Sequence, residues 1–506
     1  MRQGIKPSAV LLFLFTVFII LAAISAVFPP GGLQILPGVH LHFPGFRDLF
    51  DPEKPEYADI SYLTEVWDPA QDSVILHYPE VLPPESETEI PEKAESDSAT
   101  ERSVVAADEE KLRRLVFPLQ LPPGNDTVMD AFYKALYNTR NNTRVRIIHY
   151  GDSQIENDRI TSAMRNLFQI RFGGGGPGMF PVISPVPHNA SVRVSTTGDW
   201  QRFTPLEGGK GSTNHNRYGL LLSYSKLTTH DFENDIDGSV TIRPTGIGYS
   251  RSRQMNELNL YFGYNKAPFT MELRSGEETV DAELFFPSDS LMTVSWSLSG
   301  NPEEYSIIIK GQDSPEIYSV SIDNPVGVAV DNVALRGSAG LEFAGTDAAL
   351  MKQMTGDLNT GLIIMQFGVN VVPHVVDDYT YYENSMFRQL RFIKSLDPDI
   401  PVIVVGVSDM SEINQSGYPV SYPNIEKIRD AQRNAAFRAG FPFWDLYEAM
   451  GGRNSMPAWV AAEPSLGQTD YTHFSYRGST LIGELLFNAI IAGYDNYLDS
   501  YSKSQQ

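Results

Sequence analysis

The chain has 506 residues, of which 42% are hydrophobic and 20% are charged, and its formal net charge is −23. This length is sufficient for two or three domains with sizeable cores. The negative charge argues against a nucleic-acid partner, because binding phosphates requires clustered lysine and arginine. The sequence contains no cysteine, which excludes disulfides, thiolate metal sites and a cysteine nucleophile.

An apolar segment lies close to the amino terminus. Ser8 to Phe28 contains no charged residue and is long enough to cross a bilayer as a helix. Arg2 and Lys6 precede it, which predicts a cytoplasmic amino terminus and an extracytoplasmic or periplasmic remainder. A cleaved signal peptide is the alternative, but its apolar core is usually shorter, and no small-residue cleavage site follows. We therefore expect residues 1–28 to be a cytoplasmic stub and a transmembrane anchor.

Residues 29–111 are expected to form an extracytoplasmic linker. The first part, up to residue 82, is rich in proline, glycine and aromatic residues and lacks periodicity. Residues 83–110 contain ten acidic and two basic residues. Because such a segment buries too little apolar surface to offset the entropy of ordering, it is predicted to be a disordered tether. The folded part should begin near residue 112.

From residue 112 onward, strand-like and helix-like segments alternate. The strand-like runs are 145–150, 361–367 and 401–407, and the helical stretches are 154–170, 379–396, 422–440 and 476–494. This alternation predicts a parallel sheet with helices on both faces.

The alternation is interrupted by a block of short, strand-like runs. Gly, Pro, Asn and Ser separate these runs over residues 191–327, and no helical pattern occurs there. The block predicts an all-β sandwich that divides the α/β domain into residues 112–190 and 328–506. Its aromatic residues Trp296, Tyr261 and Tyr264 could stack on sugar rings, although packing in the sandwich core explains them without such a role and is the favoured interpretation.

The run that ends in Gly151-Asp152-Ser153 places a serine at a strand-to-helix corner. Open α/β sheets bind their ligands at this carboxyl edge. Two interpretations are open at this point. In the first, Asp152 or Ser153 is simply a helix N-cap, a position that Asp and Ser favour. In the second, Ser153 is a nucleophile, which requires a base and an oxyanion site nearby.

Three later stretches could complete such a site. Asp470 and His473 are three residues apart in a loop before the last helix, so the carboxylate can orient an imidazole that faces Ser153. Asn370 follows a strand and would place its amide at the same edge of the sheet. Gly337 follows another strand-like run, where its backbone N–H could face the site.

In these residues the sequence resembles the SGNH (GDSL-type) hydrolases. The resemblance covers roughly residues 140–190 and 330–495, with the β block inserted between the first and second motifs. Many family members have Asp after the Asn of the third motif, whereas this chain has Val371. The four matching motifs are Gly151-Asp152-Ser153, Gly337, Gly368-Val369-Asn370 and Asp470-Tyr471-Thr472-His473.

The resemblance implies a three-layer α/β/α sandwich of SGNH type, with the inserted β domain being jelly-roll-like. It implies that Ser153 is the nucleophile, His473 the general base and Asp470 the residue that orients the base. The backbone N–H groups of Ser153 and Gly337 and the side-chain amide of Asn370 would form the oxyanion hole.

The expected function is that of a serine esterase which removes O-acyl groups, most simply O-acetyl groups, from a cell-wall or surface glycan. The inserted block resembles, in its position, the carbohydrate-binding-like modules of bacterial peptidoglycan O-acetylesterases. The expected partners are the acylated glycan and the membrane, with no metal or cofactor. One alternative is an O-acyltransferase that uses the same triad, and another is a non-catalytic glycan-binding protein.

A glycine-rich run, Gly173 to Gly178 (GGGGPG), matches a nucleotide-binding pattern by its letters alone. It follows a predicted helix instead of a strand, which argues against a nucleotide site. We expect this run to be a flexible loop that lines the substrate cleft.

Overall fold

A computed structural model describes residues 7–27, 33–36, 39–41, 55–64, 115–184, 186, 189–206, 214–228, 235–298 and 304–504. The predicted acidic tether, residues 83–110, lies outside the described residues.

Helices and strands alternate along the described chain, with a long block of strands in the middle. The α-helices are α1 (Pro7–Val27), α2 (Ser61–Thr64), α3 (Asp130–Asn138), α4 (Arg159–Phe172), α5 (Ala348–Asp357), α6 (Thr380–Leu396), α7 (Ile425–Ala439), α8 (Leu446–Met450), α9 (Ser455–Ala461) and α10 (Tyr476–Ser504). Short 3₁₀ helices lie at Thr139–Asn141, Ser153–Asp158 and Phe343–Gly345.

The strands are β1 (Leu33–Leu36), β2 (Val39–Leu41), β3 (Arg144–Gly151), β4 (Gly178–Phe180), β5 (Val192–Thr197), β6 (Trp200–Phe203), β7 (Tyr224–Leu227), β8 (Ile236–Pro244), β9 (Glu257–Gly263), β10 (Phe269–Ser275), β11 (Glu278–Phe285), β12 (Leu291–Ser297), β13 (Tyr305–Gly311), β14 (Glu316–Asp323), β15 (Gly327–Ala334), β16 (Thr360–Gln366), β17 (Val402–Val405), β18 (Ser411–Ile413), β19 (Pro419–Ser421) and β20 (Phe443–Trp444). Two antiparallel pairs stand apart from the larger sheets, β1 with β2 and β18 with β19.

Helix α1 covers most of the apolar segment near the amino terminus. Within the described residues, no helix is long and apolar enough to span a membrane. The transmembrane anchor therefore stays a prediction.

The α/β part is built on a five-stranded parallel sheet with the order β15-β3-β16-β17-β20. Strand β3, which lies between β15 and β16, is buried from Val145 to Gly151, as expected for a parallel strand that is covered on both faces. Ile148 packs into a core with α6 and α7 on one face, and Ile147 packs into a core with α4 and α10 on the other. The predicted α/β class with a parallel sheet is confirmed.

Between α4 and β15, two antiparallel sheets face each other. One sheet has the order β11-β10-β13-β8-β5, and the other has the order β12-β9-β14-β7-β6, with β4 paired to β14. Leu258 and Ile307 belong to the apolar core that fills the space between them. Trp296 and Tyr261 are buried, whereas Tyr264 is half-buried beneath the guanidinium of Arg217, 4.1 Å from its ring centre.

A buried arginine joins the two parts. Arg146 on β3 is fully buried, and its guanidinium binds Asp331 on β15 at 2.5 Å and Asp323 on β14. Because an unpaired buried charge is costly, the three side chains tie the parallel sheet to the β sandwich.

The prediction of a flexible loop at the glycine-rich run is wrong. Residues 174–178 are buried in the crossing from α4 to β4. A Cβ at Gly174 would lie 2.4 Å from the carbonyl oxygen of Val328, and one at Gly176 would lie 2.1 Å from that of Ile322. Gly174 and Gly176 also have φ of +113° and +86°, so these positions require glycine for close packing and for backbone conformation.

Candidate active site

The strands of the parallel sheet end at a common edge, and the predicted motifs follow them there. Ser153 lies two residues after β3, Gly337 lies three after β15, and Asn370 lies four after β16. Residues 470–473 reach the same place from the loop that precedes α10. A crevice outside the carboxyl ends of the strands is where open α/β sheets bind ligands.

The backbone turns sharply at the end of β3. A Cβ at Gly151 would lie 2.9 Å from both the carbonyl oxygen of Gln366 and Cγ1 of Ile155, so only glycine fits. Asp152 caps the following 3₁₀ helix, because its Oδ1 accepts a hydrogen bond from the N–H of Gln154 at 3.0 Å. The capping role therefore falls to Asp152, and the hydroxyl of Ser153 points elsewhere.

The predicted α-helix begins later than expected. Residues 153–158 form a kinked 3₁₀ segment, and α4 starts at Arg159 instead of residue 154. Asn157 and Asp158 have φ of 60° and 62°, a left-handed conformation that Asn and Asp tolerate better than most residues. Helical spacing of apolar residues does not reveal such a kink.

Ser153, His473 and Asp470 form a continuous chain of hydrogen bonds. Oγ of Ser153 lies 2.8 Å from Nε2 of His473, and Nδ1 of His473 lies 2.7 Å from Oδ2 of Asp470. The other oxygen of Asp470 accepts backbone hydrogen bonds from Thr472 and His473, at 2.9 Å and 3.0 Å. The carboxylate thus holds both the ring and the backbone of His473, which fixes the direction of the imidazole.

The environment of Asp470 favours its ionised form. Partial burial raises the pKa of this carboxyl, but the hydrogen bonds from the His473 ring and from two backbone N–H groups outweigh burial and lower the pKa to about 2. The carboxylate is therefore charged at every pH at which an imidazole can act as a base.

This depressed pKa predicts a pH-dependent contribution to stability. Between pH 3.8, the ordinary value, and about 2, the folded protein binds fewer protons than the unfolded chain, so the contribution of Asp470 is lost as the pH falls through this window. We expect the melting-temperature difference between wild type and Asp470→Asn to be largest above pH 4 and to shrink towards pH 2. Thermal unfolding at a series of pH values measures it, with exposed Asp399→Asn as control, and a pH-independent difference would contradict the assignment.

Two residues that the sequence analysis did not identify hold the loop of His473 in place. Nε2 of Gln154 donates to the carbonyl oxygen of Thr472 at 2.7 Å. Arg159 donates to the carbonyl oxygens of Ser153 and Phe474, at 3.1 Å and 3.3 Å. The only signal in the sequence is the polar run QIENDR directly after Ser153, and a solvated helix start has the same polar composition.

The second and third motifs contact each other. Nδ2 of Asn370 donates to the carbonyl oxygen of Ser338 at 2.9 Å. Gly337, with φ of +77°, lies in the turn that the N–H of Ser338 closes on Leu335 at 3.0 Å. Gly337 and Asn370 are both exposed. The structure therefore brings the side-chain amide of Asn370 into contact with the turn that contains Gly337.

If Asn370 stabilises an oxyanion, its removal should slow the chemical step. We expect Asn370→Ala to lower kcat by roughly 10²–10³-fold with little change in KM, because such a donor acts in the transition state. Hydrolysis of p-nitrophenyl acetate provides the measurement. Exposed Asn496 on α10 supplies the control substitution, Asn496→Ala, and a rise in KM without a fall in kcat would assign Asn370 to substrate binding instead.

A further ion pair connects the first and second motifs. Nε and Nη2 of Arg336 bind the two carboxylate oxygens of Glu156 at 2.5 Å and 2.7 Å. Glu156 is buried, whereas Arg336 is exposed. This bidentate pair sets the position of the neighbouring Gly337, and the sequence analysis missed both residues.

Val371, which replaces the Asp of many family members, is buried in the core beside α6 and α7. The described residues contain no group of three or more His, Cys, Asp or Glu side chains that could hold a metal ion.

No protein-family model and no curated protein matches this sequence. Among solved structures, a peptidoglycan O-acetylesterase is similar, with a TM-score of 0.59 and 20% identity over 75% of this chain and 99% of that chain. A family two carbohydrate esterase from Clostridium thermocellum, in complex with cellohexaose, has a TM-score of 0.24 and 8% identity over 52% of this chain and 97% of its own. The acetyl xylan esterase AlAXEase has a TM-score of 0.24 and 15% identity over 32% of this chain and 81% of its own. The two low scores support no further conclusion.

The first similarity spans 99% of the other protein and 75% of this chain, whose α/β part is built on a parallel sheet. Together with the motifs at the carboxyl edge of that sheet, it confirms the resemblance at the level of the fold. The chain therefore shares its fold with that solved peptidoglycan O-acetylesterase.

Proposed function

We propose that this protein is a serine esterase that removes O-acetyl groups from a cell-wall or surface glycan. The observation that supports it most directly is the hydrogen-bonded chain from Ser153 through His473 to Asp470. A serine hydroxyl is a poor nucleophile by itself, and this arrangement is what activates it. The shared fold with a peptidoglycan O-acetylesterase supports the ester substrate.

In the first half of the reaction, Nε2 of His473 takes the proton of Ser153 as Oγ bonds to the carbonyl carbon of the acetyl ester. Asp470 accepts a hydrogen bond from Nδ1–H of His473 and stabilises the imidazolium, while the proton stays on the ring. The negative charge on the former carbonyl oxygen would be met by the N–H groups of Ser153 and Gly337 and by the amide of Asn370. The intermediate collapses when His473 gives its proton to the departing sugar oxygen, which leaves an acetyl ester on Ser153.

In the second half, His473 takes a proton from water, and the resulting oxygen nucleophile attacks the acetyl ester on Ser153. Acetate leaves, and the proton returns from His473 to Oγ. If a sugar hydroxyl replaces the water, the same residues catalyse acyl transfer instead of hydrolysis. The triad by itself is therefore compatible with both outcomes.

The reaction can be tested with purified full-length protein and O-acetylated peptidoglycan. We expect acetate to be released in proportion to the acetyl groups lost from the polymer. A second sample contains an unacetylated oligosaccharide as acceptor, and mass spectrometry follows its mass. Release of acetate without acetylation of the acceptor supports the esterase, whereas an acetylated acceptor supports a transferase. If neither acetate nor an acetylated acceptor forms, the proposal is overturned.

The location of the enzyme is a separate proposal. We infer that residues 8–28 anchor the chain in a membrane and that the catalytic domain lies on the extracytoplasmic side, because Arg2 and Lys6 precede the uncharged segment. Alkaline phosphatase fused after residue 110 should be active in a bacterial host, since it folds only outside the cytoplasm. A fluorescent protein fused at the same residue serves as the converse reporter, and fluorescence without phosphatase activity would reverse the predicted orientation.

A further inference from the structure

A small cavity lies beneath the candidate active site, between the ends of β3, β16 and β17. Its volume, counted as the space that the centre of a water molecule can occupy, is about 10 Å³. This value is close to the minimum that one buried water requires. Every residue that lines it is buried. The lining residues are Asp152, Gln154, Gln366, Phe367, Val369, Gly406, Val407, Ser408 and Leu446.

Three of these residues each have one buried polar atom without a hydrogen-bond partner among the described residues. The atoms are Oδ2 of Asp152, Oε1 of Gln154 and Nε2 of Gln366, and the three side chains are 1%, 2% and 3% exposed. Backbone N–H groups of Gly368 and Val369 face the Asp152 carboxyl, but none reaches Oδ2 with ordinary hydrogen-bond geometry. A buried polar atom without a hydrogen-bond partner is destabilising, so three such atoms around one cavity indicate a common partner.

The other hydrogen bonds of these side chains indicate what that partner must offer. Nε2 of Gln154 donates to the carbonyl oxygen of Thr472, so the amide presents an acceptor to the cavity. Oε1 of Gln366 lies 3.1 Å from Nε2 of His149. When Nε2 of His149 carries the proton, it donates to Oε1 of Gln366, and Nε2 of Gln366 is left as a donor towards the cavity. An ionised Asp152 presents a second acceptor.

We propose that this cavity binds a single water molecule, which donates to Asp152 and Gln154 and accepts from Gln366. Three hydrogen bonds are the usual number for a buried water. A larger ligand does not fit the available volume. Burial raises the pKa of Asp152 to about 7, against the backbone hydrogen bond from Gln154 and the charge of His473. The same site accommodates a protonated Asp152, because the water then accepts from the carboxyl and still donates to Gln154.

The bound water connects the strand end that bears Ser153 to the loop that bears His473. Gln154 is the connection, since its amide contacts the cavity on one side and Thr472, the neighbour of His473, on the other. Gln154 and Asp152 are thus positioning residues that act through His473. The water site itself stands on geometry alone, whereas its effect on turnover rests on the proposed function.

A crystal structure of the full-length wild-type protein at about 1.5 Å or better tests the site directly. We expect one isolated peak of electron density within about 2.6–3.2 Å of all three polar atoms. An empty cavity, or side chains rotated so that the three atoms pair with one another, would overturn the proposal whatever the activity of the protein.

The consequence for turnover is tested with p-nitrophenyl acetate. Gln366→Met removes one partner of the water at similar side-chain volume, and we expect kcat to fall by about 5–20-fold with KM within twofold. Gln169→Met is the matched control, because Gln169 is equally buried and also has an unpartnered oxygen, but it lies on α4 away from the cavity. Its kcat should change by less than twofold, and equal losses in both variants would overturn the positioning role.

Asp152 supplies a second test that does not depend on the Gln366 variant folding. Asp152→Asn keeps the cap on Gln154 and a hydrogen-bonding group for the water, so kcat should stay within about threefold of wild type at pH 7. Asp152→Leu removes the cap and the hydrogen-bonding group, and its kcat should be at least about tenfold lower than that of Asp152→Asn. Equal loss in the two variants would mean that the carboxylate charge, and not the water, is what the site requires.

Discussion

Ser153→Ala should abolish ester hydrolysis while leaving the fold unchanged. We expect kcat for p-nitrophenyl acetate to fall by at least about 10⁴-fold, because the substitution removes the atom that bonds to the acyl carbon. Oγ of Ser153 is also the one hydrogen-bond partner of His473 Nε2 among the described residues. The imidazole stays attached to Asp470 through Nδ1, so the loop should keep its position.

Two further measurements make this result specific. The melting temperature should change by no more than a few degrees, since the hydroxyl lies at a partly exposed corner. Ser475→Ala, in the same loop but bonded to the backbone of Ser465, is the control for nonspecific damage. Residual activity of Ser153→Ala within tenfold of wild type would remove Ser153 from the mechanism.

Arg146→Met should be the most destabilising of the substitutions considered. It leaves Asp323 and Asp331 buried close together without their counter-charge, and both are fully buried. Breaking a buried ion pair from one side typically costs ~3–5 kcal/mol, a large share of the ~5–15 kcal/mol that stabilises an ordinary domain. We expect a melting temperature lower by several degrees and a protein prone to unfold during purification.

The same substitution at an exposed arginine provides the comparison. Arg243 pairs with Glu304 on the surface of the β sandwich, and its side chain is about half exposed, so Arg243→Met should cost at most ~1 kcal/mol. Urea denaturation yields the free energies of unfolding for both variants. If Arg146→Met lowers the free energy of unfolding no more than Arg243→Met does, the ion pairs of Arg146 with Asp323 and Asp331 do not stabilise the contact between the parallel sheet and the β sandwich.

Local pattern in the sequence was sufficient for the parallel sheet and for the active-site motifs. The strands that end at Gly151, Gln366 and Val405 are built around the apolar runs Ile147-Ile148, Leu362–Met365 and Val402–Val405. Strands that are buried on both faces are rich in such residues. The spacing of Asp470 and His473 predicted their contact because the loop itself brings i and i+3 together. These features depend on neighbours in the chain, so local sequence patterns were enough to predict them.

Other features depend on contacts between residues that are distant in the chain, and local patterns could not predict them. Strand β20 has two residues and is held by pairing with β17, which no local pattern can indicate. The glycine-rich run looked flexible because its reason for being glycine, the approach of Val328 and Ile322, lies about 150 residues away in the sequence.

The polar residues around the site show the same division. Gln154 and Glu156 have the composition of a solvated helix start, yet their partners Thr472 and Arg336 arrive from remote segments and bury them. A polar side chain becomes a buried, positioning residue only when a distant partner satisfies it. The sequence determined which residues could react, and the packing of remote loops decided how Ser153 and His473 are held in contact.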